Sequence, residues 1–237
     1  MHRILAGAFS VLAIGLGAGI VPAQAVEPDT VYSPRVEQGE WEIEVKGRYF
    51  YDPDSDEHRQ SQSKLELGYG PTSYWWTELV AEYEHTPGSG GGWSAFEWEN
   101  RFQFTEPGQY WMDVGALVEI ERLHPGSGKE VHAGLLLEKE IEETTLTVNA
   151  LLNRVFADEE STKWEPAYRA QWAWRWRAEI QPLVQWQGDR DSTYVGPGFT
   201  GKTRIGSQRV EYHLTWLRRV SGDTPKDALR VRLEFEF

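Results

Sequence analysis

Polar and apolar side chains alternate along most of this chain, and the alternation restricts its fold more than any other feature. Five charged residues occupy every second position of residues 40–49, and the same period returns in residues 96–104, 168–177 and 229–237. Only an extended strand separates such residues onto two faces, because successive side chains of a strand point to opposite sides. Turn-forming Gly, Pro, Asp and Ser divide the pattern into about twelve segments, which predicts an all-β chain.

Composition excludes several other classes of protein. The 237 residues include 12 tryptophans and no cysteine, and their formal net charge is −13. A chain without cysteine has neither disulfides nor thiolate metal sites. The acidic balance argues against a nucleic-acid partner, whose phosphates need a basic surface. A mean hydropathy of −0.57 excludes a bundle of membrane-spanning helices.

The first 25 residues have the organisation of a cleavable export signal. Arg3 precedes an apolar run over residues 4–20 that only Ser10 interrupts, and Ala23-Gln24-Ala25 forms an A-x-A cleavage site. An uncleaved membrane anchor is the alternative. We predict a signal peptide over residues 1–25 and a periplasmic N-terminal tail over residues 26–38, which is either free or a plug, in a Gram-negative envelope protein.

The apolar faces then belong either to a soluble two-sheet sandwich or to a membrane barrel. An even number of strands, alternating short and long connections and strands of about ten residues favour the barrel. Aromatic side chains gather near strand ends, as in the interfacial girdles of outer-membrane barrels. We therefore predict a transmembrane antiparallel β-barrel of about twelve strands over residues 39–237, with an aromatic girdle of Trp41, Trp75, Tyr110, Trp176, Trp186, Trp216 and Phe235.

The final segment, residues 229–237, alternates apolar side chains and ends in the aromatic Phe237. It resembles the last strand of Gram-negative outer-membrane proteins, and the resemblance implies recognition by the barrel-assembly machinery. It also implies an outer membrane location, with lipid and lipopolysaccharide as partners. The C-terminal third also resembles a transporter family of the phenol meta-cleavage pathway, at residues 194–198, at residues 210–214 and from there to Phe237. This resemblance implies transport.

In this barrel the charged faces line the lumen, with acids and bases on different strands. The predicted acidic wall comprises Glu78, Glu82, Glu84, Glu97, Glu99, Asp113, Glu119 and Glu138. The predicted basic wall comprises Arg169, Arg175, Arg177, Arg209, Arg230 and Arg232.

Three functions are compatible with such an interior. A water-filled channel whose opposed charges select small solutes is our first hypothesis. A closed barrel filled by salt bridges, with a structural or surface-interaction role, is the second. A lipid-modifying enzyme is the third, and it would need a nucleophile beside a base. We predict His132 and His213 to point inward in structural roles, and we expect no catalytic residue, no metal site and no cofactor.

Overall fold

The computed structural model describes residues 30–124, 128–157 and 162–237. The predicted signal peptide, residues 1–25, lies outside the described residues. The described chain forms one closed antiparallel barrel in which each strand pairs with its sequence neighbours and the first strand pairs with the last. Its strands are β1 (Trp41–Tyr51), β2 (Ser61–Thr72), β3 (Trp75–Thr86), β4 (Gly90–Gln103), β5 (Asp113–Leu123), β6 (Lys129–Ile141), β7 (Thr144–Phe156), β8 (Glu165–Trp174), β9 (Gln181–Gly188), β10 (Ser192–Ile205), β11 (Gln208–Gly222) and β12 (Asp227–Glu236).

The predicted fold class, an all-β antiparallel barrel of twelve strands, is confirmed. Strand β1 shows why the sequence folds this way, because Glu42 and Glu44 are buried while Ile43 and Val45, which alternate with them, are exposed. The charged face of the alternation therefore points into the barrel and the apolar face points outward. No helix in the described part of the chain is long and apolar enough to cross a membrane.

The outer surface carries an aliphatic band between two sets of aromatic side chains. Exposed aliphatic residues such as Val45, Leu67 and Leu79 lie in the middle of their strands. We call the end of the barrel that holds the β2–β3 and β6–β7 connections the turn end, and the opposite end the loop end. Aromatic side chains are exposed at both ends, and this arrangement matches the two interfaces of a membrane.

The predicted girdle residues occupy three kinds of position. Trp41 and Trp186 are exposed near strand ends, Trp216 is exposed near the middle of β11, and the half-buried Trp75 donates a hydrogen bond from Nε1 to Asn100 Oδ1 at 3.0 Å. Phe235 is also half-buried, in β12. Two further exposed aromatics, Tyr110 and Trp176, were predicted within strands but lie in the β4–β5 and β8–β9 connections.

Connection lengths follow the predicted short–long alternation only in part. The β2–β3, β6–β7 and β10–β11 connections at the turn end contain two residues each. The β4–β5 connection at the same end spans residues 104–112, whereas the β3–β4 connection at the loop end spans only residues 87–89. The prediction began β4 too late because the glycines of residues 90–92 have no side chains to alternate, and it shortened the β4–β5 connection because alternation continues past the last paired residue of β4 and begins before the first paired residue of β5.

Candidate functional site in the barrel interior

The predicted acidic residues all lie on the inner face of strands β3 to β6. Seven of them are buried: Glu78, Glu82, Glu97, Glu99, Asp113, Glu119 and Glu138. Glu84, near the loop end of β3, is half-buried and accepts a hydrogen bond from Gln60. The strand pairing sets several carboxylates directly opposite one another, as in Glu78 with Glu99 and Glu97 with Glu121. Like charges in such cross-strand pairs repel, so this wall needs cations nearby.

Two lysines on the neighbouring strands supply part of that charge. Lys64 Nζ on β2 lies 2.8 Å from Glu97 Oε1 and 3.2 Å from Glu82 Oε2. Lys46 Nζ on β1 lies 2.7 Å from Glu66 Oε2 and 2.9 Å from Glu44 Oε1. Neither lysine belongs to the predicted basic wall, because a count of charges along each strand cannot show that a long side chain reaches across to the next one.

The predicted basic wall is not continuous. Arg169, Arg230 and Arg232 lie within strands and face the interior. Arg232 pairs with acids of its own region, since its guanidinium lies 3.7 Å from Glu44 and 3.6 Å from Glu234. Most of the cations therefore form a strip on β12, β1 and β2, beside the acidic strands.

The remaining predicted basic residues lie at the turn end. Arg209 forms an ion pair with Glu236 at 2.5 Å at the mouth of the barrel. Arg175 and Arg177 are placed wrongly by the prediction, because β8 ends at Trp174 and does not continue to residue 177. Beyond Trp174 the chain turns, and the β8–β9 connection is held by hydrogen bonds from Arg175 N to Glu143 O and from Ile180 N to Arg177 O. Arg177 is exposed and packs over the ring of Trp176.

The wall formed by strands β7 to β11 carries mainly amides and hydroxyls. Its buried polar side chains are Thr147, Asn149, Asn153, Arg169, Gln185, Gln187, Ser192 and Thr215. The interior is thus acidic on β3 to β6, of mixed charge on β12 to β2, where the cations pair with buried glutamates, and mostly neutral on β7 to β11.

Residues 30–38, which we call the N-terminal segment, enter the barrel from the turn end. The backbone of Tyr32 makes two hydrogen bonds with Asn149 of β7: its N–H donates to Oδ1, and its carbonyl accepts from Nδ2, both at 2.8 Å. Arg169 of β8 donates to the carbonyl of Thr30 at 2.9 Å. The Tyr32 ring is 6% exposed and belongs to a buried apolar cluster with Leu117, Leu136, Leu151 and Ala167.

Arg35 anchors the same segment to the acidic wall. Its guanidinium lies 3.2 Å from Asp113, 3.0 Å from Glu138 and 2.7 Å from Glu140. Burial works against the charge of Arg35, but the hydrogen bond to Glu140 and the three carboxylates raise its pKa above the ordinary value. The sequence left open whether the tail is free or a plug. In its described part, residues 30–36 lie inside the barrel, and the exposed Glu37 and Gln38 lie at the turn end.

A cavity of about 310 Å³ remains between the N-terminal segment and the barrel wall. Charged groups of both signs line it, among them Arg35, Lys46, Lys202, Glu42, Glu211 and Glu236. Glu37 and Glu40 belong to the lining as well, beside Arg209 at the turn end. Burial, a hydrogen bond with Glu37 and the charge of Glu236 raise the pKa of Glu40 to about 8.

The two interior histidines have different surroundings. His132 of β6 contacts Asn153 and three glutamates. His213 of β11 lies opposite Arg232 of β12 in the strand pairing.

The barrel is similar to solved structures of outer-membrane channels. The COG4313 outer membrane channel from Pseudomonas putida F1 matches with a TM-score of 0.57 and 11% identity, over 89% of this chain and 99% of that chain. The NanC porin matches with a TM-score of 0.54 and 10% identity, over 82% and 98%. The KdgM porin, solved in complex with disordered oligogalacturonate, matches with a TM-score of 0.54 and 6% identity, over 83% and 98%.

At these identities the similarity shows a shared fold. No known protein family matches the sequence, and no characterised protein matches it by sequence.

Proposed function

We propose that this protein is an outer-membrane channel that passes small polar solutes passively. One observation carries the proposal: a charged cavity of about 310 Å³ lies inside a closed barrel whose outer surface is aliphatic. Such an exterior suits lipid, and such an interior suits hydrated solutes. The membrane lipid, lipopolysaccharide and the barrel-assembly machinery remain the partners that we propose from the sequence.

The charge of the interior favours cationic and zwitterionic solutes over anions. Acidic side chains dominate strands β3 to β6, and further glutamates of β1, β11 and β12 line the cavity. The cations lie beside these strands, so the selecting field runs between neighbouring regions of the wall. This revises the opposed acidic and basic walls of our sequence-based hypothesis.

The N-terminal segment supports the second candidate, a closed barrel. Tyr32 and Thr30 lie inside the barrel against β7 and β8, where they contact Asn149 and Arg169 and narrow the lumen. We propose that this segment is the constriction of the channel, and that solutes pass only when it is displaced. An enzyme is less favoured, because His132 contacts an amide and carboxylates, and none of these groups is an alcohol or thiol nucleophile of the kind the hypothesis requires.

Conductance in planar lipid bilayers tests the proposal. We expect discrete current steps and a reversal potential that indicates preference for cations. The Glu236→Gln variant should weaken the preference, because it removes a negative charge from the cavity and leaves Arg209 without its 2.5 Å partner.

Glu106→Gln serves as the matched control, since Glu106 is an exposed acid of the β4–β5 connection at the same end of the barrel. It should leave the selectivity unchanged. Folded protein that gives no current steps at any voltage would refute the channel and favour the closed barrel.

A further inference from the structure

A histidine and three glutamates converge on the inner wall near the loop end. The β5–β6 pairing sets Glu119 opposite His132 and Glu121 opposite Glu130. Their side chains are 7% exposed for Glu119, 13% for His132 and 12% for each of the other two glutamates. Because residues two apart on a strand share a face, the four groups meet at one place in the interior.

Three members of this group, Glu119, Glu121 and His132, are spaced as ligands of one metal ion. His132 Nε2 lies 3.4 Å from Glu130 Oε1, 3.8 Å from Glu119 Oε1 and 3.9 Å from Glu121 Oε2. A direct charge-assisted hydrogen bond would be about 2.8 Å long. Tetrahedral ligands with metal bonds of about 2.1 Å are separated by roughly 3.4 Å. The ligand atoms of Glu119, Glu121 and His132 all lie within 4.8 Å of one another.

The other nitrogen of His132 is oriented by a residue outside the group. Its Nδ1 lies 3.0 Å from the side-chain oxygen Oδ1 of Asn153, which is only 4% exposed. An N–H at Nδ1 that donates to this oxygen leaves the lone pair on Nε2, which faces the carboxylates. Metal-binding histidines are held in this way, with one nitrogen on the ion and the other donating to an acceptor behind it.

The electrostatics of the wall also favour a bound cation here. Glu121 lies between two other glutamates in the strand pairing, Glu97 on β4 and Glu130 on β6. Lys64 Nζ contacts Glu97 and Glu82, on the side of β4 away from Glu130. A dication held by Glu119, Glu121 and His132 would compensate the repulsion among the carboxylates of β5 and β6.

We propose that Glu119, Glu121 and His132 bind one divalent transition-metal ion, with Asn153 positioning the imidazole and Glu130 as a neighbouring carboxylate. One imidazole nitrogen with carboxylate oxygens suits a borderline ion such as Zn²⁺. The proposal departs from the sequence-based expectation of no metal site. It is independent of the proposed channel, since the ion would bind whether or not the lumen conducts.

Isothermal titration calorimetry of the full chain in detergent, with ZnCl₂ as the ligand, tests the site. We expect one ion per chain, and at least tenfold weaker binding for His132→Gln and for Glu121→Gln. Asn153→Leu keeps all three ligands, and loss of such a positioning partner weakens metal binding about 10- to 100-fold. His213→Gln is the matched control, because His213 is the other interior histidine and should leave the affinity unchanged.

Two measurements keep the result interpretable. Heat-modifiable migration on a gel establishes that each variant is a folded barrel, and X-ray absorption of the zinc-loaded protein should show imidazole and oxygen ligands. If His132→Gln does not fold, Asn153→Leu and Glu121→Gln decide the matter. Unchanged affinity in folded variants of His132 and Glu121, or binding that only variants of the loop residues His58 and His124 remove, would overturn the proposal and indicate an adventitious ion only.

Discussion

Removal of the Asn149 side-chain amide should release the N-terminal segment from the lumen. Asn149 is 0% exposed, and both of its 2.8 Å hydrogen bonds go to the backbone of Tyr32. The variant Asn149→Leu keeps the size of the side chain but removes the two hydrogen bonds that Asn149 makes with the Tyr32 N–H and carbonyl in a buried site. Each such loss costs about 1–3 kcal/mol, so docking loses at least about 2 kcal/mol. Since 1.4 kcal/mol is tenfold, the ratio of docked to released segment falls by about 30-fold or more.

A single introduced thiol measures this release, because the chain has no cysteine of its own. Thr30 is 5% exposed inside the barrel, so the thiol of a Thr30→Cys variant should react slowly with a bulky, water-soluble maleimide. In the Asn149→Leu background the labelling rate should rise about 30-fold, in proportion to the released population, for the 2 kcal/mol loss. The same variant should show larger or more frequent current steps in bilayers.

Thr215→Val is the control for this experiment. Thr215 is also 0% exposed, and it lies on β11 facing the interior. The substitution removes one polar group of similar burial and should leave both labelling and conductance unchanged. If Asn149→Leu folds normally and the thiol introduced by Thr30→Cys is labelled no faster than without it, the two hydrogen bonds do not hold the segment, and the reasoning is wrong.

Two further predictions concern pH. The raised pKa of Glu40, about 8 against an ordinary 4.5, means that this carboxyl is protonated at neutral pH and ionises as the pH passes 8. Cation preference, measured from reversal potentials between pH 7 and 9, should therefore rise with pH, and Glu40→Gln should reduce the rise while the other glutamates of the cavity remain; an identical pH profile in that variant would contradict the assignment. Burial works against the charge of Asp52 in the β1–β2 connection, but hydrogen bonds from the backbone of Asp54 and from Lys226 lower its pKa below 3.8. A carboxyl whose pKa is lowered in the folded state stabilises the fold at pH values above its ordinary pKa, and this contribution is lost as the pH falls through the lowered pKa. The Asp52→Asn variant should therefore lower the melting temperature at pH 7 and change it little near pH 2, with Asp56→Asn as the control.

The inner and outer faces were predictable from sequence because alternation is a local property. Glu97 and Trp98 are neighbours in the chain, and a strand must turn them to opposite faces whatever else it contacts. The same reasoning failed at the end of β8, where the alternation of aromatic residues continues through Trp176 although strand pairing ends at Trp174. A period shows which face a residue takes, but the partner strand determines where pairing stops.

The contacts that shape the interior depend on register and on distant residues. Lys64 reaches Glu97 because β3 lies between their strands at a particular offset, and no sequence pattern within β2 records that offset. The N-terminal segment has no alternation of polar and apolar residues, and its hydrogen-bond partner Asn149 lies 117 positions from Tyr32. Only the three-dimensional arrangement reveals that this segment is a part of the lumen.

The position of Asn149 on β7 has a consequence for assembly of the barrel. The seam joins β1 to β12, and Phe237 N donates to Trp41 O at 2.8 Å. In the ring of twelve strands β7 stands diametrically opposite β1, so the N-terminal segment spans the diameter from the seam to the far wall. Once Tyr32 has docked on β7, the loop that closes when β12 pairs with β1 contains only the half of the sheet from β7 to β12. Each halving of a closing loop lowers its entropic cost by about 0.6 kcal/mol. The N-terminal segment, which narrows the lumen of the folded barrel, thus also holds β1 in position to pair with β12.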